Sequence, residues 1–112
     1  CVANSADQTK QLVAGYPSST VRILLDTYHM AFEESDTYQA IVSHAGDFDS
    51  IHYSDDNRFY PGLGQLDFQK ITESLASIDF YGPIVLEANI RNSFEADVRA
   101  SVQYLRPILA RP

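Results

Sequence analysis

Three short apolar runs, set apart by stretches of helical period, constrain this chain more than any other feature. They are Val21-Arg22-Ile23-Leu24-Leu25, Phe48-Asp49-Ser50-Ile51-His52-Tyr53 and Pro83-Ile84-Val85-Leu86, each short enough for a buried strand and rich in branched or aromatic side chains. Around them lie amphipathic stripes. Phe68, Ile71, Leu75 and Ile78 share one helical face, Phe94, Val98, Val102 and Leu105 another, and Tyr38, Ile41 and Val42 a weaker one. Candidate N-caps stand in front of the helices: Asn4 or Ser5, Ser35, Asp67, and Asn92 or Ser93, with Asn92 and Glu95 at capping-box spacing. Gly15, Gly46 and the Tyr81-Gly82-Pro83 turn are expected to stop helices, and Pro107 to limit the last one.

The resulting order is helix, strand, helix, strand, helix, strand, helix, with no hairpin signal between strands. That alternation predicts an α/β fold with three parallel strands joined by crossovers. Three parallel strands alone make a poor sheet, since both faces and both edges need cover and parallel sheets are normally buried on all sides. The chain is therefore expected to be a segment of a larger α/β fold. Its first residue is Cys rather than Met, which fits a processed product or an excised piece of a longer protein. With 112 residues it is one unit, without internal sequence repeat, low-complexity segment or linker.

Composition narrows the partners. An apolar fraction of 45% with seven Tyr and six Phe excludes a disordered or fibrous chain. A formal charge of -7 repels phosphate backbones and anionic lipid, so neither nucleic acid nor membrane is an expected partner. No apolar run approaches the roughly 20 residues needed to cross a bilayer, and no basic-then-apolar signal pattern opens the chain. A cytoplasmic location is the expectation. The single cysteine, Cys1, can form no internal disulfide and leaves no thiolate metal motif.

Ligands of parallel α/β sheets bind outside the carboxyl ends of the strands, and all three predicted strands end in polar residues. Asp26 closes the first, with His29 just beyond; His52 lies in the second, which runs into Asp55, Asn57 and Arg58; Glu87 closes the third. Singly, each has a structural explanation. Asp26 could cap the next turn, His52 could be a hydrogen-bonded core histidine, Glu87 could pair with an arginine, and Arg58 could pair at the surface with Asp55 or Asp56. Together they would put an Asp, a His and a Glu around one point. Two carboxylates in a sheet repel each other and lose solvation unless a cation or proton lies between them. A divalent metal meets that need. Oxygen donors with one imidazole suit Mn²⁺, Mg²⁺ or Co²⁺, and also admit Zn²⁺.

Other polar residues are assigned to structure. Tyr60-Pro61-Gly62-Leu63-Gly64 follows the second strand as a lid or pocket wall and lacks the spacing of a phosphate loop. Asp67 is expected to cap a helix, His44 to lie at the surface, and the tyrosines at helical spacing to be core. Asp47 and Asp49 lack calcium-loop spacing.

The motifs Leu25-Asp26-Thr27-Tyr28-His29-Met30, Ile51-His52-Tyr53-Ser54-Asp55-Asp56-Asn57-Arg58 with Pro61-Gly62-Leu63-Gly64, and Tyr81-Gly82-Pro83-Ile84-Val85-Leu86-Glu87 occur in one order along the chain. In that order they resemble the sugar phosphate isomerase/epimerase superfamily, the xylose isomerase-like TIM barrels. The resemblance implies that residues 1–112 are the C-terminal portion of such a barrel, its last three strands and their helices, where a whole barrel takes about 250 residues. It implies Asp26, His52 and Glu87 as metal ligands, Glu87 also as one of two acid/base carboxylates, and His29 and Arg58 as contacts to substrate oxygens. A fourth ligand, the second catalytic Glu, would lie on the strand before the first one here, with Cys1 to Tyr16 as the helix after it. The implied enzyme is a carbohydrate isomerase or epimerase. It would bind a sugar or sugar phosphate through a divalent metal, Mn²⁺ foremost, and move a proton through an enediolate. This portion alone is expected to be incomplete and inactive, and to meet either the missing N-terminal barrel portion or another copy.

Three rivals stand beside that reading. An apurinic-site nuclease relative of the same barrel would need cationic surface, which a charge of -7 opposes. An acidic receiver domain needs five strands and a Lys after the last, whereas the lysines here, Lys10 and Lys70, fall on predicted helices. The last is a non-catalytic interaction fragment that associates through its open sheet edges.

Overall fold

A computed structural model describes residues 5–16, 23–34 and 36–110. Helix α1 (Ala6–Val13) precedes strand β1 (Ile23–Asp26), which leads directly into α2 (Thr27–Glu33) and then α3 (Thr37–Ser43). Strand β2 (Phe48–Tyr53), α4 (Phe68–Ser77), β3 (Ile84–Leu86) and α5 (Phe94–Leu109) follow. The three strands form one parallel sheet in the order β1-β2-β3. Cys1, Asn4, the Val21-Arg22 start of the first predicted strand, and Ser35 lie outside the described residues. Among the described residues no helix is long and apolar enough to cross a membrane.

Side chains alternate across the sheet, so each strand sends one set to each face. Ile23 and Leu25 of β1, Phe48, Ile51 and Tyr53 of β2, and the half-buried Ile84 and Leu86 of β3 pack with the helices. Against them lie Ile41 of α3, Phe68, Ile71 and Leu75 of α4, and Leu105 of α5. Within this layer the Tyr53 and Thr72 hydroxyls lie 2.8 Å apart, which satisfies the one polar tip that Tyr53 brings into the core. The opposite face carries Leu24 and Val85, 48% and 42% exposed. It also carries Asp26 and His52, which are register partners, and His52 in turn pairs with Val85. Among the described residues, one face of the sheet is thus covered and the other is bare.

The two-helix connection between β1 and β2 differs from the single predicted helix. Asp26 Oδ1 accepts the N–H groups of Tyr28 and His29 at 2.9 and 3.3 Å, capping a helix where the strand ends. The cap of α3 is Asp36. Its buried residues are Ala40 and Ile41, while Val42 turns outward.

Helix α5 departs further. Leu105 is buried, but Phe94 is 63% exposed and Val102 also faces outward; the inward positions are Asp97, Ser101 and Leu105. Asp97 accepts the backbone N–H groups of Arg91 and Asn92 and the Asn92 amide, which holds the turn before the helix. Asn92 is consequently spent on Asp97, and Ser93 is the N-cap; the capping box instead forms at α1, between Ser5 and Gln8. Pro107 lies inside the last turns of α5, which run on to Leu109. The C-terminal half of α5 shares with the rim of β3 an open groove of about 450 Å³, whose lining includes Ile84, Leu86, Val102, Leu105, Arg106 and Leu109.

His44 is buried at 6% exposure rather than lying at the surface. Its Nε2 is 2.8 Å from Asp7 of α1 and its Nδ1 is 3.1 Å from Asp47, which Lys10 also meets at 3.1 Å. The ring ties α1 to the turn entering β2, a contact between distant segments that gives a local reading nothing to see. The tyrosines on helices are not core: Tyr28 and Tyr38 are half-buried and Tyr104 faces outward, while the buried tyrosines, Tyr53 and Tyr60, lie on β2 and the loop after it.

Candidate active site

The carboxyl ends of the strands gather the predicted residues on the bare side of the sheet. Asp26 closes β1 opposite His52 of β2, and Glu87 follows directly after β3, its N–H donating to Tyr53 O at 3.3 Å. His52 Nδ1 lies 2.5 Å from Glu87 Oε2. Arg58 comes from the loop after β2. Its Nη1 donates to both Asp26 oxygens at 2.9 Å, its Nη2 lies 4.0 Å from Glu87 Oε1, and its guanidinium stands 5.0 Å from the Tyr28 ring centroid.

One guanidinium and one imidazole therefore stand between two carboxylates, the guanidinium pairing with the largely buried Asp26 carboxylate. Asp26 carries both readings of its sequence position, a helix cap and a member of this cluster. Arg58 pairs with Asp26 and not with Asp55 or Asp56. His29 is exposed; among the described residues it joins the cluster through its backbone N–H on Asp26 and through Tyr28, whose ring it meets edge-on at 5.2 Å.

As the side chains stand, no three His, Cys, Asp or Glu among the described residues are grouped to hold a metal ion. Arg58 occupies the Asp26 carboxylate, and His52 and Glu87 are turned to each other. The donor set nonetheless has the chemistry of a divalent-cation site: two carboxylates and an imidazole at adjoining strand ends, already drawing a cationic group into their midst. The fit is one of donor type.

Arg58 is held in a demanding backbone conformation, with φ +66° in the left-handed region. Asp55 sits beneath its loop, fully buried, and its carboxylate receives four backbone N–H groups. The sequence placed Asp55 among the polar residues after the second strand and as an alternative partner for Arg58, not as the anchor of the loop; the signal available was an acidic residue followed at short range by two glycines, Gly62 and Gly64, whose N–H groups can approach closely.

The profile of xylose isomerase-like TIM barrels matches residues 1–108. This chain belongs to that family. It is 36% identical over 87 residues to the 3-dehydro-D-guloside 4-epimerase of Escherichia coli, covering 77% of this chain and 33% of that protein. It is 33% identical over 86 residues to the D-psicose 3-epimerase of Enterocloster bolteae, covering 77% of this chain and 29% of the relative. The chain thus spans about a third of the length of the curated relatives it matches. Among solved structures, the 3-keto-D-glucoside 4-epimerase of E. coli superposes with a TM-score of 0.87 at 30% identity, over 95% of this chain and 41% of that one. An AP endonuclease of family 2 from Brucella melitensis superposes with a TM-score of 0.77 at 20% identity, over 95% of this chain and 39% of that one, a likeness of fold alone. TIM barrels have eight strands, and the described residues of this chain hold three, with one sheet face and the β3 rim left open.

Proposed function

We propose that these residues supply part of the active centre of a sugar or sugar-phosphate epimerase or isomerase that works with a divalent metal. The single observation that carries the reading is the placement of Asp26, His52 and Glu87 at three adjoining strand ends, on the face a barrel turns inward, with Arg58 among them. Sugar epimerases among the relatives support the substrate class.

Asp26, His52 and Glu87 would hold the metal, Mn²⁺ foremost, with Mg²⁺, Co²⁺ or Zn²⁺ as alternatives. When bound, that ion supplies Lewis acidity that makes the C–H beside the sugar carbonyl acidic. Glu87 moves the proton to or from that carbon, as one of two acid/base carboxylates, the other lying on a strand outside this chain. His52, 2.5 Å from Glu87, orients that carboxylate. Arg58 meets the negative charge that develops on the substrate oxygens, and His29, at the mouth of the site, contacts a hydroxyl. The whole reaction requires the remaining strands, which would also cover the groove between β3 and α5; another copy of this chain is the alternative cover. Neither a membrane nor a nucleic acid suits a chain of charge -7.

The test is to incubate the full-length protein with Mn²⁺ and a panel of ketoses and ketose phosphates in D₂O. Deuterium entering the carbon next to the carbonyl, with the epimer or isomer appearing, is the expected result. No exchange on any member of the panel contradicts it.

A further inference from the structure

The Asp55 carboxylate is enclosed by its own loop. Oδ1 accepts from the N–H groups of Asp56 and Leu66, both at 2.9 Å, and Oδ2 from those of Gly62 and Gly64 at 2.9 and 3.0 Å. A carboxylate takes such bonds with roughly twice the strength of a neutral acceptor. Its main chain closes the same loop: Asp55 N–H donates to Phe59 O, and Arg58 N–H donates to Asp55 O, each at 2.9 Å. On the far side, Asn89 N–H donates to Arg58 O at 2.7 Å.

Arg58 is consequently gripped on both sides of its peptide, at a φ of +66° that a non-glycine residue adopts only when its surroundings impose it. A second tie joins the two halves of the loop, since Asn57 Nδ2 donates to Leu63 O at 2.8 Å. Gly64 shows how closely the backbone approaches: a Cβ there would lie 2.6 Å from the Asp55 carboxyl and 2.5 Å from that of Asp56.

We infer that Asp55 is the positioning residue for Arg58: by gathering residues 56–66 around one buried charge, it delivers the guanidinium to Asp26 and Glu87. The inference rests on the proposed role of Arg58 for its catalytic consequence, but not for its geometry. Misplacing a substrate contact by about an ångström lowers turnover by about 10²-fold.

Two readouts separate the two claims. In the first, the full-length protein and its Asp55→Asn variant are treated with phenylglyoxal, and the modified arginines are mapped by mass spectrometry. Arg58, 23% exposed and ion-paired, should be protected in the wild type relative to Arg99, which is 68% exposed. In Asp55→Asn it should react at the rate of Arg99. Unchanged protection in a folded variant overturns the inference. Should Asp55→Asn fail to fold, Gly64→Ala serves instead, because it crowds the carboxylate while keeping it, and the same gain in Arg58 reactivity is expected.

In the second, kcat/KM on whichever ketose is turned over should fall by about tenfold or more in Asp55→Asn and fall no further when Asp55→Asn is added to Arg58→Ala. Equal losses in both backgrounds contradict action through Arg58. If the wild type turns over no ketose, the proposed activity fails, and the arginine footprint alone still decides the positioning role.

Discussion

His52 Nδ1 lies 2.5 Å from Glu87 Oε2, joining an imidazole within β2 to a carboxylate just past the end of β3. The contact is possible because the strands are parallel and adjacent, so polar residues near their carboxyl ends reach the same level on one face. Arg58 extends the pair to Asp26 on β1, and the result is one chain of polar contacts across all three strands.

If Glu87 carries the proton, Glu87→Gln in the full-length protein should lower kcat by about 10²–10⁴-fold, the range for a lost general acid or base. The amide keeps the size of the side chain, so thermal unfolding should change little. Turnover within a few-fold of wild type would remove Glu87 from the chemistry.

Arg58 presents a planar fork to two carboxylates and stacks near Tyr28, neither of which an ammonium reproduces. Steady-state kinetics should rank wild type above Arg58→Lys and Arg58→Lys above Arg58→Ala, the last losing about 10²–10³-fold in kcat/KM. Equal values for lysine and alanine would show that charge at this position is irrelevant.

Acid should act through Asp97 and Asp47. Burial alone would raise the Asp97 carboxyl, but the N–H groups of Arg91 and Asn92, with the Arg91 charge, outweigh it and hold the group below its ordinary 3.8. Burial likewise opposes ionisation at Asp47, and the hydrogen bonds and charges of Lys10 and His44 outweigh it, holding that carboxyl below 3.8 as well. A carboxyl depressed on folding stabilises above its unfolded value and loses that contribution as pH falls through the lower folded one. The unfolding midpoint should therefore be steady down to about pH 5 and drop below about pH 4. Asp97→Asn should start lower at pH 7 and fall less steeply; parallel curves would contradict the assignment.

The strand ends were legible in the sequence because Asp26, His52 and Glu87 interrupt apolar runs whose length and branching already mark buried strands. The α4 stripe was legible for the same reason, since Phe68, Ile71 and Leu75 repeat at helical period and all three are buried. What local pattern could not convey was which way α5 faces. Phe94 and Val102 have the period of a core stripe, yet both face outward, and Val102 borders a groove at the open edge of the sheet. Asp55 and His44 were hidden for a different reason. Each is defined by partners brought in from other turns or helices, Leu66 for one and Asp7 for the other, and neither residue type announces burial.

The most direct measurement is calorimetric titration of Mn²⁺ into the full-length protein beside its His52→Ala variant. One site per chain, weakened by at least about tenfold in His52→Ala, is the predicted result. Equal affinity in the two proteins would contradict the assignment of Asp26, His52 and Glu87 to a common cation.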